Sequence, residues 1–149
     1  MIRRASISDV PDIMVLEKEC LPHPWDKTAI DDLMTLDRHM ALIAVDDGKA
    51  VGYIGFSWVL DECEIGNICV SRSFRRRGIA SSLLARTESE LAALGVRKIF
   101  LEVESDNAPA IALYERSGYV RYSGRKDYYG QGRDAELYCK KLPDSNCEI

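Results

Sequence analysis

Histidine is scarce in this 149-residue chain, which has only His23 and His39. A metal centre built on imidazoles needs more of them at ligand spacing, so no metal is expected. Cysteine occurs five times (Cys20, Cys63, Cys69, Cys139, Cys147), an odd number with no CxxC pair. That argues against a zinc ribbon or a disulfide framework and favours reduced thiols in a cytoplasmic protein. No apolar run approaches the ~20 residues of a membrane span. The start, Met1-Ile2-Arg3-Arg4-Ala5-Ser6, lacks the apolar core of a secretion signal. Excess positive charge is missing too. At a net −4 the chain is not expected to bind nucleic acid through overall charge, although a local basic patch remains open.

What is present suits one packed domain. Hydrophobic residues make up 46% and charged residues 30%, enough of the first for a real core and too many to leave most of the chain disordered. No repeat, low-complexity tract or Pro/Gly-rich linker interrupts the chain. A single domain over 1–149 is expected, with 142–149 as a polar tail.

The elements follow from periodicity and punctuation. Ile2 to Ala5 reads as a short strand, and Ser6 to Asp9 offers caps for a helix ending near Cys20. Pro22 and Pro24 hold Leu21 to Trp25 out of helix. Asp26 then caps a second helix carrying Ile30, Leu33 and Met34. Ala41 to Val45, the turn residues Asp46-Asp47-Gly48, and Ala50 to Leu60 form a hairpin signature, and Glu62 to Val70 continues it. Gly78 to Leu94 has helical spacing and stops at Gly95. Lys98 to Glu104 reads as strand, Ala108 to Ser117 as a helix ended by Gly118, and Tyr119 to Lys126 and Asp134 to Lys141 as strands. The fold class is α+β: a helical pair, an antiparallel meander, then β-α-β-α-β-β, with helices on the faces of a mixed sheet.

Between the strand ending at Val70 and the helix opening at Gly78 lie Arg72, Arg75, Arg76 and Arg77. A helix N-terminus offers unpaired N–H groups and a positive dipole end to phosphate. Gly78 permits a backbone path that other residues resist. Ala80, Ser81 and Ser82 keep the first turn uncrowded, and arginine forks suit phosphate oxygens. A solvated basic surface or an RNA patch is the competing reading of the arginines alone. Placement between strand and helix, with Gly then Ala, favours phosphate. The Walker and dinucleotide glycine patterns are absent.

With Arg75-Arg76-Arg77-Gly78-Ile79-Ala80 the chain resembles the GNAT superfamily of acyl-CoA N-acyltransferases, whose loop reads Arg/Gln-x-x-Gly-x-Gly/Ala. The likeness continues in Asn67-Ile68-Cys69-Val70 and in Asn107-Ala108-Pro109-Ala110-Ile111-Ala112-Leu113-Tyr114 through Tyr119, in the family's order and over nearly the whole chain. The resemblance implies a mostly antiparallel sheet of about seven strands flanked by four helices, acetyl-CoA as co-substrate, and a monomer or weak dimer. Pro24-Trp25, Leu101-Glu102-Val103 and Tyr128-Tyr129 are most similar to the RimI-type ribosomal-protein-alanine N-acetyltransferases. That likeness implies that Ile68, Cys69 and Val70 hold the acetyl and pantetheine portion through backbone groups. It places the pyrophosphate on Arg75 to Ser81, including Arg76, Arg77, Gly78, Ile79 and Ala80, and brings Asn107 against the cofactor arm. Glu102 becomes proton acceptor and Tyr114 proton donor. The implied acceptor is the N-terminal amine of a protein such as ribosomal protein S18.

The residues themselves leave some of this open. An α-amine has a pKa of ~7.7–8.0 against ~10.4 for lysine, so it needs only modest help from a base. Glu102 alternates with Leu101 and Val103 and lies beside Glu104, where it can equally be an exposed charge, and Glu64 competes for its role. Tyr114 falls on the apolar face of its helix, as a core aromatic also would. Asn107 is expected to cap that helix as well. Cys69 allows a covalent acetyl-enzyme, but with no identifiable histidine base a small buried hydrophobe and direct transfer fit better. Oxyanion stabilisation is expected from a backbone N–H at Cys69 or Val70. Trp25 with His23, and Tyr128 with Tyr129, are either walls of an acceptor groove or loop anchors. Small amines as acceptors, or a non-enzymatic CoA-binding module, remain alternatives; retention of both Glu102 and Tyr114 speaks against the module.

Overall fold

Three hydrogen bonds to Asp9 start the chain off. The Asp9 carboxylate accepts from the Ser6 backbone N–H at 2.8 Å and from both terminal nitrogens of Arg3 at 2.8 Å each. Hydrogen bonds from that guanidinium, opposed by partial burial, hold the Asp9 carboxyl down at about 2. They join strand β1 (Ile2–Arg4) to helix α1 (Val10–Cys20), whose Pro11 occupies the first turn. Helix α2 (Lys27–Thr35) begins at Asp26, whose side chain accepts from Ala29 N at 2.9 Å. The computed structural model describes residues 1–143, so Cys147 and most of the expected tail over 142–149 lie outside the described residues.

Strands β2 (His39–Asp46), β3 (Lys49–Val59) and β4 (Glu62–Val70) form the expected meander. Asp47 and Gly48, both at positive φ (50° and 74°), close the first hairpin in the form that matches strand twist. Helix α3 (Ile79–Ala93) follows, then β5 (Lys98–Glu104), α4 (Ala108–Arg116), β6 (Val120–Arg125) and β7 (Ala135–Lys141). The sheet order is β1-β2-β3-β4-β5-β7-β6, antiparallel throughout except for β4 with β5. The elements lie within a few residues of the sequence reading. Gly78 precedes α3 as its cap rather than opening it. β2 starts two residues earlier, at His39, because that residue still pairs with Ser57.

Two cores result, one on each side of the sheet. Beneath α3 and α4 pack Leu83, Leu84 and Leu91 with Ile54, Phe56, Ile99, Leu101 and Val103. Beneath α1 and α2 pack Ile13, Leu16, Ile30 and Leu33 with Ile43, Tyr53 and Cys69. The second core covers only the β1 to β4 half of its face.

Candidate active site

The site is built around a parting of strands. β4 and β5 pair only where Glu62 to Glu64 meet Lys98 to Phe100. Beyond that point β5 stays with β7, while β4 bends away at a bulge centred on Gly66, where its register with β3 shifts. Ser71 N–H donates to Val51 O at 2.8 Å, so the alternation of an antiparallel ladder turns the Cys69 peptide groups toward β3. The same alternation points the N–H and C=O groups of Ile68 and Val70 into the gap. This sharpens the expectation for the oxyanion donor: Val70 fits and Cys69 does not. The Cys69 side chain is sealed in the α1 core, where contact with the Cys20 thiol and burial both push its thiol up. It is no nucleophile for a ligand in the gap.

Past Val70 the chain makes a short turn over Arg72–Phe74 and enters α3 through two left-handed residues, Arg76 (φ 65°) and Gly78 (φ 77°). A Cβ on Gly78 would meet nothing within 4 Å, so the glycine is there for its backbone angle, not for room. Arg75 reaches back, its Nε donating to Val70 O at 3.0 Å, and Arg77 lies over the Phe74 ring at 4.9 Å. Three exposed arginines thus immediately precede the N-terminus of a 15-residue helix whose first turn bears Ile79, Ala80 and Ser81. The arrangement suits a diphosphate.

On the other side of the β4 bulge lies a cavity of about 660 Å³. Of the residues singled out from sequence, His23, Trp25, Glu64, Ile68, Glu102, Asn107, Tyr114, Tyr128 and Tyr129 line it together; Cys69, Val70 and the arginine loop lie outside its lining. Glu102 is half-buried. Burial raises its carboxyl first and the negative charge of Glu64 adds to this, against the opposing pull of Arg125. Glu64 itself is exposed. Tyr114 is 5% exposed, edge-on to Tyr119 at 6.0 Å, and burial pushes its phenol up. Asn107 caps α4 as expected, its side chain accepting from Ala110 N at 3.2 Å.

The walls are the two loops named from sequence. Trp25 lies directly on the bulge: a Cβ at Gly66 would come within 2.4 Å of its ring. Tyr128 and Tyr129 meet edge-on at 5.0 Å across the β6–β7 loop. Sequence reading missed the residue that joins the loops. Arg133 pairs with Glu104, donates to Tyr129 O at 3.1 Å, and lies 3.1 Å from His23 Nε2. It also missed Glu17, fully buried on α1, whose Oε1 accepts from Tyr53 OH at 2.6 Å and Asn67 Nδ2 at 2.8 Å. Glu17 thereby braces Asn67, a cavity residue, beside the bulge. A carboxylate at i+4 from Ile13 on an apolar stripe was the available signal.

The arrangement is that of an acyl-CoA-dependent transferase, and comparison with known proteins agrees. A model described as the acetyltransferase (GNAT) family matches residues 10–119, and the chain belongs to that family. It is an N-acetyltransferase that uses acetyl-CoA. The chain is similar to the ribosomal protein bS18-alanine N-acetyltransferase of Salmonella typhimurium, 34% identical over 125 residues and 83% of each chain. It is 30% identical over 154 residues to an N-alpha-acetyltransferase of Saccharolobus solfataricus, covering 95% of this chain and 92% of the other. The crystal structure of the ribosomal-protein-S18-alanine N-acetyltransferase of Escherichia coli superposes with a TM-score of 0.88 at 27% identity, over 100% and 99% of the two chains. Arabidopsis thaliana NAA60 in complex with acetyl-CoA shares the fold, with a TM-score of 0.88 at 21% identity over 95% and 98%. No helix among the described residues is long and apolar enough to cross a membrane.

Proposed function

We propose that this chain acetylates the N-terminal α-amine of a protein, with the terminal alanine of a bS18-type ribosomal protein as acceptor. The observation that carries the reading is one cavity that holds Glu102 and Tyr114 together and opens onto the gap-facing edge of β4. Relatives across most of the chain's length, named for bS18 alanine, supply the acceptor. The reading places the chain in the cytoplasm, where ribosomal proteins are made.

Acetyl-CoA brings the thioester, its diphosphate on Arg75 to Ser81 and its pantetheine along the gap-facing backbone groups of Ile68 and Val70 rather than Cys69, whose peptide groups are turned to β3, with Asn107 beside the arm. In the transfer the amine nitrogen bonds to the carbonyl carbon and the carbon–sulfur bond breaks. Glu102 accepts the amine's proton, directly or through water, and its raised carboxyl suits the role better than a fully solvated one would. The Val70 N–H donates to the oxyanion. Tyr114 gives its phenolic proton to the departing sulfur and is reprotonated from solvent. From ordinary values of ~10 and ~8.5 that last transfer is uphill by about 2 kcal/mol. The dry site that raises the phenol also penalises a thiolate, so the gap stays small enough for an enzymatic barrier.

Thiol release with acetyl-CoA and a panel of acceptors tests the reading. A peptide with a free N-terminal alanine is turned over, and the same peptide with a blocked terminus and an internal lysine is not. Turnover of polyamines or amino acids with none of the peptide would replace the protein acceptor with a small amine.

A further inference from the structure

The sheet leaves one half of one face bare. Along β5, Ile99, Leu101 and Val103 enter the core under α3 and α4, so Lys98, Phe100, Glu102 and Glu104 point the other way. Over β1 to β4 that other face is covered by α1 and α2. Over β5, β7 and β6 no helix among the described residues covers it, and large apolar groups remain at the surface: Val120 is 68% exposed and Tyr122 55%. Phe100 meets Tyr122 edge-on, ring centroids 5.9 Å apart. With Cys139 these residues form a concavity of about 530 Å³, closed at one end by Lys98 and Lys141.

We propose that this concavity is a subsite of the acetyltransferase that takes a bulky apolar side chain from about the third to fifth residue of the acceptor polypeptide. The inference rests on the polypeptide-acceptor reading above. Continuity with the amine site identifies the occupant. Phe100 lies two residues from Glu102 on the same face of β5, about 7 Å away. Glu64, on the cavity wall, is directly opposite Phe100 in the β4–β5 pairing. Tyr122, in edge-on contact with Phe100, carries the concavity on from the amine site. An extended chain advances about 3.4 Å per residue. With its amine at Glu102, its third residue reaches Phe100 and the next two reach Tyr122 and Val120.

The test uses acetyl-CoA, the tripeptide Ala-Gly-Gly amide, and two hexapeptides beginning with alanine: one all glycine thereafter, the other with phenylalanine at position 4. The unaltered chain is expected to show a KM about tenfold lower for the phenylalanine peptide, ~1.4 kcal/mol, with kcat alike. Tyr122→Ser and Val120→Ser are expected to erase that advantage while leaving tripeptide turnover unchanged, which also shows that the variants fold. No phenylalanine advantage in the unaltered chain, or an advantage that survives in both variants, overturns the subsite alone. No transfer to any alanine peptide overturns the polypeptide-acceptor reading and the subsite with it. A dimer seen by sedimentation and dissolved by Tyr122→Ser assigns the face to a second copy and overturns the proposal.

Discussion

Replacing Glu64 by glutamine removes one negative charge from the face it shares with Glu102, and the effect can be worked out. Glu64 pairs opposite Phe100, and Glu102 lies two residues further along the same face. Strands about 4.8 Å apart and a two-residue advance of about 6.8 Å put the two about 8 Å apart. Coulomb's law then gives about 0.5 kcal/mol in a water-like medium and about 2.1 kcal/mol at an effective dielectric of 20. Glu64 is exposed and screened by salt, so the lower figure applies. The sign follows from the cause: the charge on Glu64 raises the Glu102 carboxyl, so removing it lets Glu102 stay ionised to lower pH. The assay is kcat/KM for an alanine peptide from about pH 4 to pH 9. Both the amine and Glu102 must be deprotonated, so the logarithm rises with slope one just below the amine's pKa and slope two below that of Glu102. In Glu64→Gln the break between slopes moves to lower pH. In Glu102→Gln the steeper limb disappears. An unmoved break in the first variant refutes the electrostatic coupling. A break that survives in the second refutes Glu102 as the base, and one lost in Glu64→Gln instead transfers the role to Glu64.

Tyr114→Phe keeps a buried ring edge-on to Tyr119 and removes only the hydroxyl. Turnover should fall by about 10²- to 10⁴-fold with CoA affinity by titration unchanged; equal loss of both would make Tyr114 structural. Gly66→Ala sets a Cβ 2.4 Å from the Trp25 ring. That overpacking should cost about 1–3 kcal/mol in thermal unfolding and raise KM for the peptide more than for acetyl-CoA; wild-type values for both would remove Trp25 as an acceptor wall. Glu17→Leu leaves the Tyr53 hydroxyl and the Asn67 amide without their acceptor. A loss of about 2–5 kcal/mol in denaturant unfolding is expected, and an unchanged midpoint would show that water satisfies both donors. Leu60 holds a left-handed φ of 56° at the β3–β4 turn and is 85% exposed. Leu60→Asn should therefore raise stability by about 0.5–1 kcal/mol with activity intact; a lower melting temperature would contradict this.

Much of the chain was readable because local chemistry decided it. Asp47-Gly48 fixes a hairpin by its own backbone preferences, Asn107 and Asp26 cap by their own side chains, and Gly78 in a run of arginines announces a turn into a helix. Trp25, Tyr128 and Tyr129, read from sequence as either groove walls or loop anchors, line one cavity. The parting of β4 from β5 was not readable, since strand length and alternation carry no record of where a parallel pair stops pairing. Which β4 peptide groups face the gap depends on register with β3, and so the choice of Val70 over Cys69 needed the structure. Glu17, Tyr53 and Asn67 are spread over 50 residues, and Arg133 is 110 residues from His23. Such bridges are properties of the packed chain, not of any segment.

On the proposed function, one acetyl group passes to an α-amine held against Glu102. A single peptide bearing both a free N-terminal alanine and an internal lysine, incubated with acetyl-CoA and the full chain, puts the two amines in direct competition. Fragmentation mass spectrometry should place the acetyl group on the alanine nitrogen, with the lysine unmodified and no product from Tyr114→Phe on the same timescale. Acetyl found on the lysine side chain, or equal yield from the variant, would contradict the claim.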